Sequence, residues 1–565
     1  MKTMLAIMMF CSSLAVNAQD STDVQFSIPS SLRDYHYVKR SDPWLTTANA
    51  AGLTRFATAS IAEAELSFMK EKGGFVDYYG SPDDVQLDVA VESLHRLNSR
   101  TVLFGAISYN NFAGKDMAGS AFIAPTLSMH LPFDIVEDSL TNLGDKHRDV
   151  YRLQGGVGVD VWRGLALGAR FDYTAANYAK YKDLRHKNKL MDMALTLGVT
   201  VPLGAWGDAG AHYLYHRNTE SVTFSTYGKG DKTYQSLVSY AAFMGQREQF
   251  GAAGYTDKSR EMPLVSDVDG IGVEFSLHSP LSSLPSPHSS LPSPHSSLLF
   301  YNSFTYARRR GYYGRKSPYT ITYSEHESHI YDYRARLSYT PRASRHASRV
   351  SRFTLDLTLS AENLQNDATT YRELQNDAGA TYYNYYTPVK AANRLWVDGS
   401  AALTADLGVS GELPAWTLQA GLSWLHRRQT AYLYPYYRRQ TIDSRELFAA
   451  VTRNRPVARG VWTFALNGAF GWGGGAPCED LTFATPSEKM DAPAVMDAYL
   501  YREHQFLTSA QYGVGGSVKY AFLFPGTQLW THARLSLAHR KANETNDYSI
   551  GCDRTQVGVA VGCTF

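Results

Sequence analysis

The tightest constraint on this chain is a two-residue period that returns along most of its length. Tyr151, Leu153, Val157, Val159 and Val161 share one face of an extended stretch, opposite Arg152, Gln154, Gly158 and Asp160. After the turn Arg163-Gly164, Leu165, Leu167, Ala169, Phe171 and Tyr173 oppose Gly168, Arg170, Asp172 and Thr174. Tyr331, Tyr333, Leu337 and Tyr339 likewise oppose Asp332, Arg334, Arg336 and Ser338, and Phe353, Leu355, Leu357 and Leu359 oppose Arg352, Thr354, Asp356 and Thr358. The same alternation carries Val557, Val559, Val561, Cys563 and Phe565 to the last residue. Successive side chains of a strand point to opposite faces, so these are two-faced strands. Outside the first twenty residues no run of about 18 apolar residues exists, so a membrane crossing has to be made by strands.

The links between strands add independent support. Short ones fall at about 97–100, 163–164, 202–206, 341–350, 409–414, 454–457 and 523–527. Long polar ones fall at about 70–83, 113–148, 178–188, 218–267, 311–327, 365–392, 429–440, 472–505 and 541–552. Short and long alternate, as in outer-membrane barrels with tight periplasmic turns and long extracellular loops. The Pro-rich tandem repeat at 282–298 sits where a short turn is due and reads as a tolerated spacer, since Pro is excluded from central strands. The fold class that follows is all-β, a transmembrane antiparallel barrel of about 18 strands from Arg55–Met69 to Asp553–Phe565. An open sheet edge is forbidden in lipid, so the last strand has to pair with the first. Phe565 then belongs at the lower membrane boundary, where aromatic side chains collect.

The first residues, MKTMLAIMMFCSSLAVNAQD, have the form of a secretory signal: Lys2, an apolar core and a small-residue cleavage site ending at Ala18. The expected organisation is a signal peptide over 1–18, a periplasmic segment over 19–54, and a barrel over 55–565. The segment is too short for a large plug domain and leaves room for no more than a small hatch in the lumen. Net charge is +2, which points to no nucleic-acid partner. Aromatics make up 13% of the chain, 38 of them tyrosines, which suits a lipid–water boundary.

A terminal Phe on an alternating last strand resembles the signal read by the barrel assembly machinery, which that resemblance implies as a partner beside the lipid itself. The stretch DPWLTTANAAGL (Asp42–Leu53) is similar to the N-P-A-G-L motif that opens fatty-acid-transporter-type barrels, with Ala50 in place of the proline. Length, signal style and Tyr-rich loops resemble an outer-membrane barrel family of Bacteroidota that has no assigned activity. What this implies is location and fold.

The faces turned away from lipid supply the candidate lumen-lining residues: Arg152, Asp160, Arg170, Asp172, Asp332, Arg334, Arg336, Arg352, Asp356 and Arg534. Charges of both signs inside a barrel need water or mutual pairing. They therefore form either a polar pore lining or a network of ion pairs that stiffens the wall. Glu325-His326-Glu327-Ser328-His329 offers metal-ligating groups, but strand neighbours face opposite sides. His212, His216 and His532 come with no nucleophile motif, so neither an enzyme nor a cofactor is expected. The Tyr runs at 381–387 and 432–439 read as an upper aromatic girdle or as a binding surface. Cys478 and Cys552 end up at the bases of consecutive outer loops in an oxidising compartment, which makes them a candidate disulfide. The reading that results is a passive outer-membrane channel for small solutes with a charged lumen. The alternative is a surface binding or adhesion barrel that works through its Tyr-rich loops.

Overall fold

The computed structural model describes residues 32–565 apart from 124–128, 138–141, 205, 228–233, 251–261, 281–296, 316–320, 342–349, 369–370, 376–380, 386, 458–459, 488–491, 525–526, 528 and 546. Among them, 18 long strands follow one another antiparallel. The first six are β1 (Ser60–Lys72), β2 (Asp83–Arg96), β3 (Thr101–Met117), β4 (Gly144–Trp162), β5 (Leu165–Lys180) and β6 (Arg185–Pro202). Next come β7 (Gly207–Ser225), β8 (Met262–Pro280), β9 (Ser297–Arg315), β10 (Ile321–Thr340), β11 (Val350–Ala368) and β12 (Val389–Val409). The last six are β13 (Trp416–Leu433), β14 (Tyr436–Val457), β15 (Gly460–Gly474), β16 (Gln511–Leu523), β17 (Trp530–Ala542) and β18 (Asp553–Thr564).

The sheet closes on itself. β1 pairs with β18, Leu66 facing Val561 in register, and Phe565 exchanges backbone hydrogen bonds of 2.8 and 3.0 Å with Ala62. The outer face is an apolar belt. Leu535 and Leu537 are 63% and 57% exposed, and Val557, Val559 and Val561 are exposed beside them. Large apolar surface laid open in this way around a closed barrel is stable only against lipid. The opposite face of each strand carries the polar residues and lines the lumen.

The strands run further than the alternation alone suggested. β14 has 22 residues, whereas about 9–11 tilted residues cross a bilayer. Consequently three links expected to be long polar loops are short: 181–184, 316–320 and 434–435. The Tyr432–Arg439 run is not a loop. Tyr432 pairs with Tyr437 across a turn at Tyr434-Pro435, and the Tyr437 ring packs 4.5 Å from Phe483. The other Tyr run contributes a strand Thr381–Tyr385 that pairs with Tyr371–Gln375 in a separate hairpin. Most of the Pro-rich repeat lies outside the described residues; its flanks, Pro280 and Ser297, are paired.

The remaining long loops fold inward. Loop strands Asp134–Glu137, Tyr234–Ala241, Met244–Phe250 and Ala494–Val495 form a small sheet of their own. Phe133, Ile135, Val238 and Tyr240 pack there against Val222 of β7, Leu264 of β8, Tyr313 of β9 and Ala431 of β13. A helix, α2 (Asp497–Thr508), covers the other side through Tyr499 and Leu500, which pack against Val136, Leu237 and Phe243. An apolar core thus sits in the upper mouth of a barrel whose middle is polar.

Candidate functional site in the lumen

The lower mouth is occupied by the N-terminal segment Leu32–Phe56. Its path is set by three caps. The carboxylate of Asp34 accepts from Tyr37 N (2.9 Å) and starts helix α1 (Tyr35–Ser41). Asp42 accepts from Trp44 N (3.0 Å) and opens a 3-10 turn with Pro43 at its head. Asn49 accepts from Ala51 N (3.1 Å) and opens a second turn, Ala50–Arg55. Short polar side chains satisfy the unpaired N–H groups of each start, so the segment folds back on itself twice in 25 residues.

The barrel wall then holds it. Asn49 Nδ2 donates to Val199 O (3.1 Å) and to Glu274 (2.7 Å), and Trp44 Nε1 donates to Ser276 Oγ (3.1 Å). Arg55 pairs with Asp42 and Asp208, Arg40 with Asp406, and Lys39 with Glu92. Arg336 donates to Arg40 O (2.7 Å) and Arg352 to Ser41 O (2.9 Å). Gly158, Gly168 and Gly198 stand in register on three neighbouring strands under this segment. A Cβ on Gly168 would lie 2.0 Å from Ala51 N, and one on Gly198 would lie 2.0 Å from Asn49 Oδ1. The wall is bare there so that the AAG turn can approach its backbone.

The ten residues expected to line the lumen do not converge on one centre. Arg336, paired with Asp356, and Arg352 hold the N-terminal segment. Arg170 pairs with Asp172 at 2.8 Å, which also accepts from Gln154, and Arg152 reaches Thr174 at 3.4 Å. Asp160 accepts from Gly164 N in a periplasmic turn. Asp332 stands in register with Ser360, Arg334 faces inward and stays exposed, and Arg534 pairs with Glu65. The histidines do not converge either. His216 meets Asp192 (2.9 Å) and His532 meets Glu65 (3.2 Å) on different sides of the barrel. His326 turns inward to Ser266 Oγ (2.9 Å), the side opposite to its neighbours Glu325 and Glu327.

The upper closure rests on buried ions that the sequence reading did not single out. Glu137 in the loop sheet pairs with Lys146 (2.7 Å) and Lys180, both fully buried. Burial pushes the Glu137 carboxyl up, but the two ammonium groups outweigh it and hold it below the usual range. Glu503 of α2 grips Arg427 through two hydrogen bonds of 2.9 and 2.5 Å, and Asp497 pairs with Arg438 (2.7 Å). Among the described residues, Asp134 and Asp77 form no ion pair. Burial raises Asp134 to about 6 against hydrogen bonds from Ser120 and Tyr78. Burial and then Glu503 raise Asp77 to about 7. Lys146 and Lys180 fall in the stretches 113–148 and 178–188 expected to be long loops, so neither they nor the loop carboxylate that joins them stood out as facing inward.

The disulfide expected between Cys478 and Cys552 is not formed, and both thiols are free. The loop strand Glu479–Thr482 turns back to pair with β14, carrying Cys478 toward Asp480 (3.6 Å), while Cys552 stays at the head of β18. The loop strand stands on the β15 side of β14, so three strand spacings of about 4.8 Å separate those positions, beyond the reach of about 7 Å between Cα atoms.

An even-stranded closed barrel with an apolar belt, a polar lumen and loops gathered at one mouth is an outer-membrane β-barrel in contact with membrane lipid. Residues 50–565 match the Family of unknown function (DUF6850), and the chain belongs to that family. No curated protein matches it. Among solved structures it is similar to the ferric preacinetobactin receptor BauA of Acinetobacter baumannii, at 8% identity over 90% of this chain and 80% of that one, with a TM-score of 0.37. It is also similar to the outer membrane transporter YddB of Escherichia coli, at 7% identity over 89% and 81%, with a TM-score of 0.38.

Proposed function

We propose that the barrel passes small hydrophilic solutes across the outer membrane by passive diffusion, through a charged lumen that the N-terminal segment narrows as a hatch. The observation that carries this reading is Arg334. It points inward from β10 and is exposed, whereas Glu274 under the hatch is fully buried. An inward arginine that keeps its water marks a wet middle chamber. Neither a catalytic residue nor a cofactor is called for. Purified protein in a planar bilayer is expected to conduct, and Arg334→Glu is expected to shift ion preference toward cations. Unchanged selectivity in a conducting variant would place the path elsewhere, and a wild-type protein that never conducts would end the channel reading.

A second reading, a binding barrel that acts through its loops, is favoured by the apolar core those loops build in the upper mouth. Glycan binding by a protein without conductance would decide for it.

A further inference from the structure

The hatch does not meet the wall evenly. Among the described residues, the hydrogen bonds and ion pairs that Arg33–Phe56 make outside the segment run to β1–β13, to the turns between them and to Thr58 just before β1. On β14–β18 the segment is represented by Leu32, which touches Val461, Ala521 and Trp530 at the periplasmic ends. Inward side chains keep water on both sides, Arg152 and Arg334 on the covered side and Arg534 and Asn467 on the uncovered one, while His212, Glu274 and, on β17, His532 are buried.

The uncovered wall is also lined by small side chains. Ala465 and Asn467 on β15, Gly515 and Ser517 on β16, Ser536 on β17 and Ala560 on β18 all project inward, opposite the lipid-facing Leu466, Val518, Leu535 and Val559. Asn467 is exposed and Ala465, Ser517 and Ser536 are half-buried, whereas Gly515 and Ala560 are buried, so the cross-section left for water lies along β15–β17. Lys519 and Arg534 stand at its lower end against Glu65. Lys519 makes no hydrogen bond or ion pair among the described residues, and its charge acts on Glu65 together with that of Arg534, so the lower end holds two full cations against one carboxylate.

We propose that solute moves off the barrel axis, in a lane between the hatch and the inner wall of β15–β17, with Lys519 giving the lane a preference for small anions. The proposal rests on the channel reading for its cargo and on the uneven seating of the hatch for its position. The hatch therefore need not leave the barrel for solute to pass. Above the lane lies α2, whose Arg427–Glu503 and Arg438–Asp497 pairs hold it in place as a lid.

Single cysteines test the position in a full-length protein whose Cys478, Cys552 and Cys563 are replaced by serine. Ser517→Cys lies in the lane, and Thr196→Cys lies under the hatch, each facing inward six residues from the periplasmic end of its strand. A charged, impermeant methanethiosulfonate added from the periplasmic side is expected to modify Ser517→Cys at least about tenfold faster than Thr196→Cys and to lower its conductance. Asn467→Cys is the second lane position should Ser517→Cys not assemble. Equal rates, or faster reaction at Thr196→Cys, would overturn the lane. Lys519→Glu is expected to lower the anion-to-cation permeability ratio by about twofold or more, and an unchanged ratio would remove Lys519 from its role. The modification is also followed by mass, which keeps the two ideas apart. A wild type without conductance but with selective labelling of Ser517→Cys would end the channel reading and keep the open lane. A conducting protein without that selectivity would do the reverse.

Discussion

At the scale of single residues, the row of Gly158, Gly168 and Gly198 does more to place the N-terminal segment than any charge. Alternation puts Gly158 and Gly168 on the non-lipid face, and Gly198 was not singled out. Their alignment is a matter of register between three strands, which spacing along one strand does not contain. The inward charges were legible in the same partial way: alternation put Arg336 and Arg352 in the lumen, but their partners are backbone carbonyls some 300 residues away. Gly168→Val is expected to lift the AAG turn off the wall at a cost of about 1–3 kcal/mol, the usual price of overpacking. Gly155→Val, whose added Cβ meets nothing within 4 Å, is the control. Limited proteolysis at Arg40 and Arg55 in membranes reads the difference, and equal protection in the two variants would show that the seat is not tight.

At the scale of elements, strand identity was readable and strand ends were not. Alternation persists above the lipid because the upper strands still have one face against a core and one against water. The loops were misread for a related reason. Their apolar residues are spread among polar ones, and only the folded loop sheet gathers them. This sheet carries a pH dependence whose sign can be worked out. Asp134 binds its proton more tightly folded, at about 6, than unfolded, at about 3.8. Its contribution is therefore complete below about pH 4 and is lost as pH rises through 6, by about 3 kcal/mol. Asp77, raised to about 7, acts in the same direction. Glu137 is shifted the other way, so its ion pairs with Lys146 and Lys180 are lost only below that window. Amide exchange in 134–137 and 234–241, corrected for intrinsic rates, should be slower at pH 4.5 than at pH 7.5, and Asp134→Asn should flatten the difference. Faster exchange at the lower pH would contradict the sign.

At the scale of the whole molecule, the class of fold was legible because lipid leaves few choices. Backbone groups must all be paired, so a chain with two-faced strands and no long apolar helix closes into a barrel. The contents of the lumen were not legible, since a wall facing water and a wall facing a polar hatch call for the same residues. Orientation follows from the asymmetry of the mouths, with the folded loops outside and the short turns inside. An epitope tag at Pro435 is expected to be reached by antibody on intact cells, and one at Ser289 only after permeabilisation. The opposite pattern would invert the molecule.

The seam between β1 and β18 joins Ala62 to Phe565. Neighbouring strands elsewhere meet across a turn or one loop, so their pairing is local and fast. This one pairing has a sequence separation of about five hundred residues, and folding slows as contacts become less local. Every other ladder can form while the seam is still open. Until it shuts, the growing sheet carries two raw edges, each a template for the wrong strand. The slowest step in building this protein is therefore expected to be its closure, and a chain cut before Asp553 keeps both edges for good.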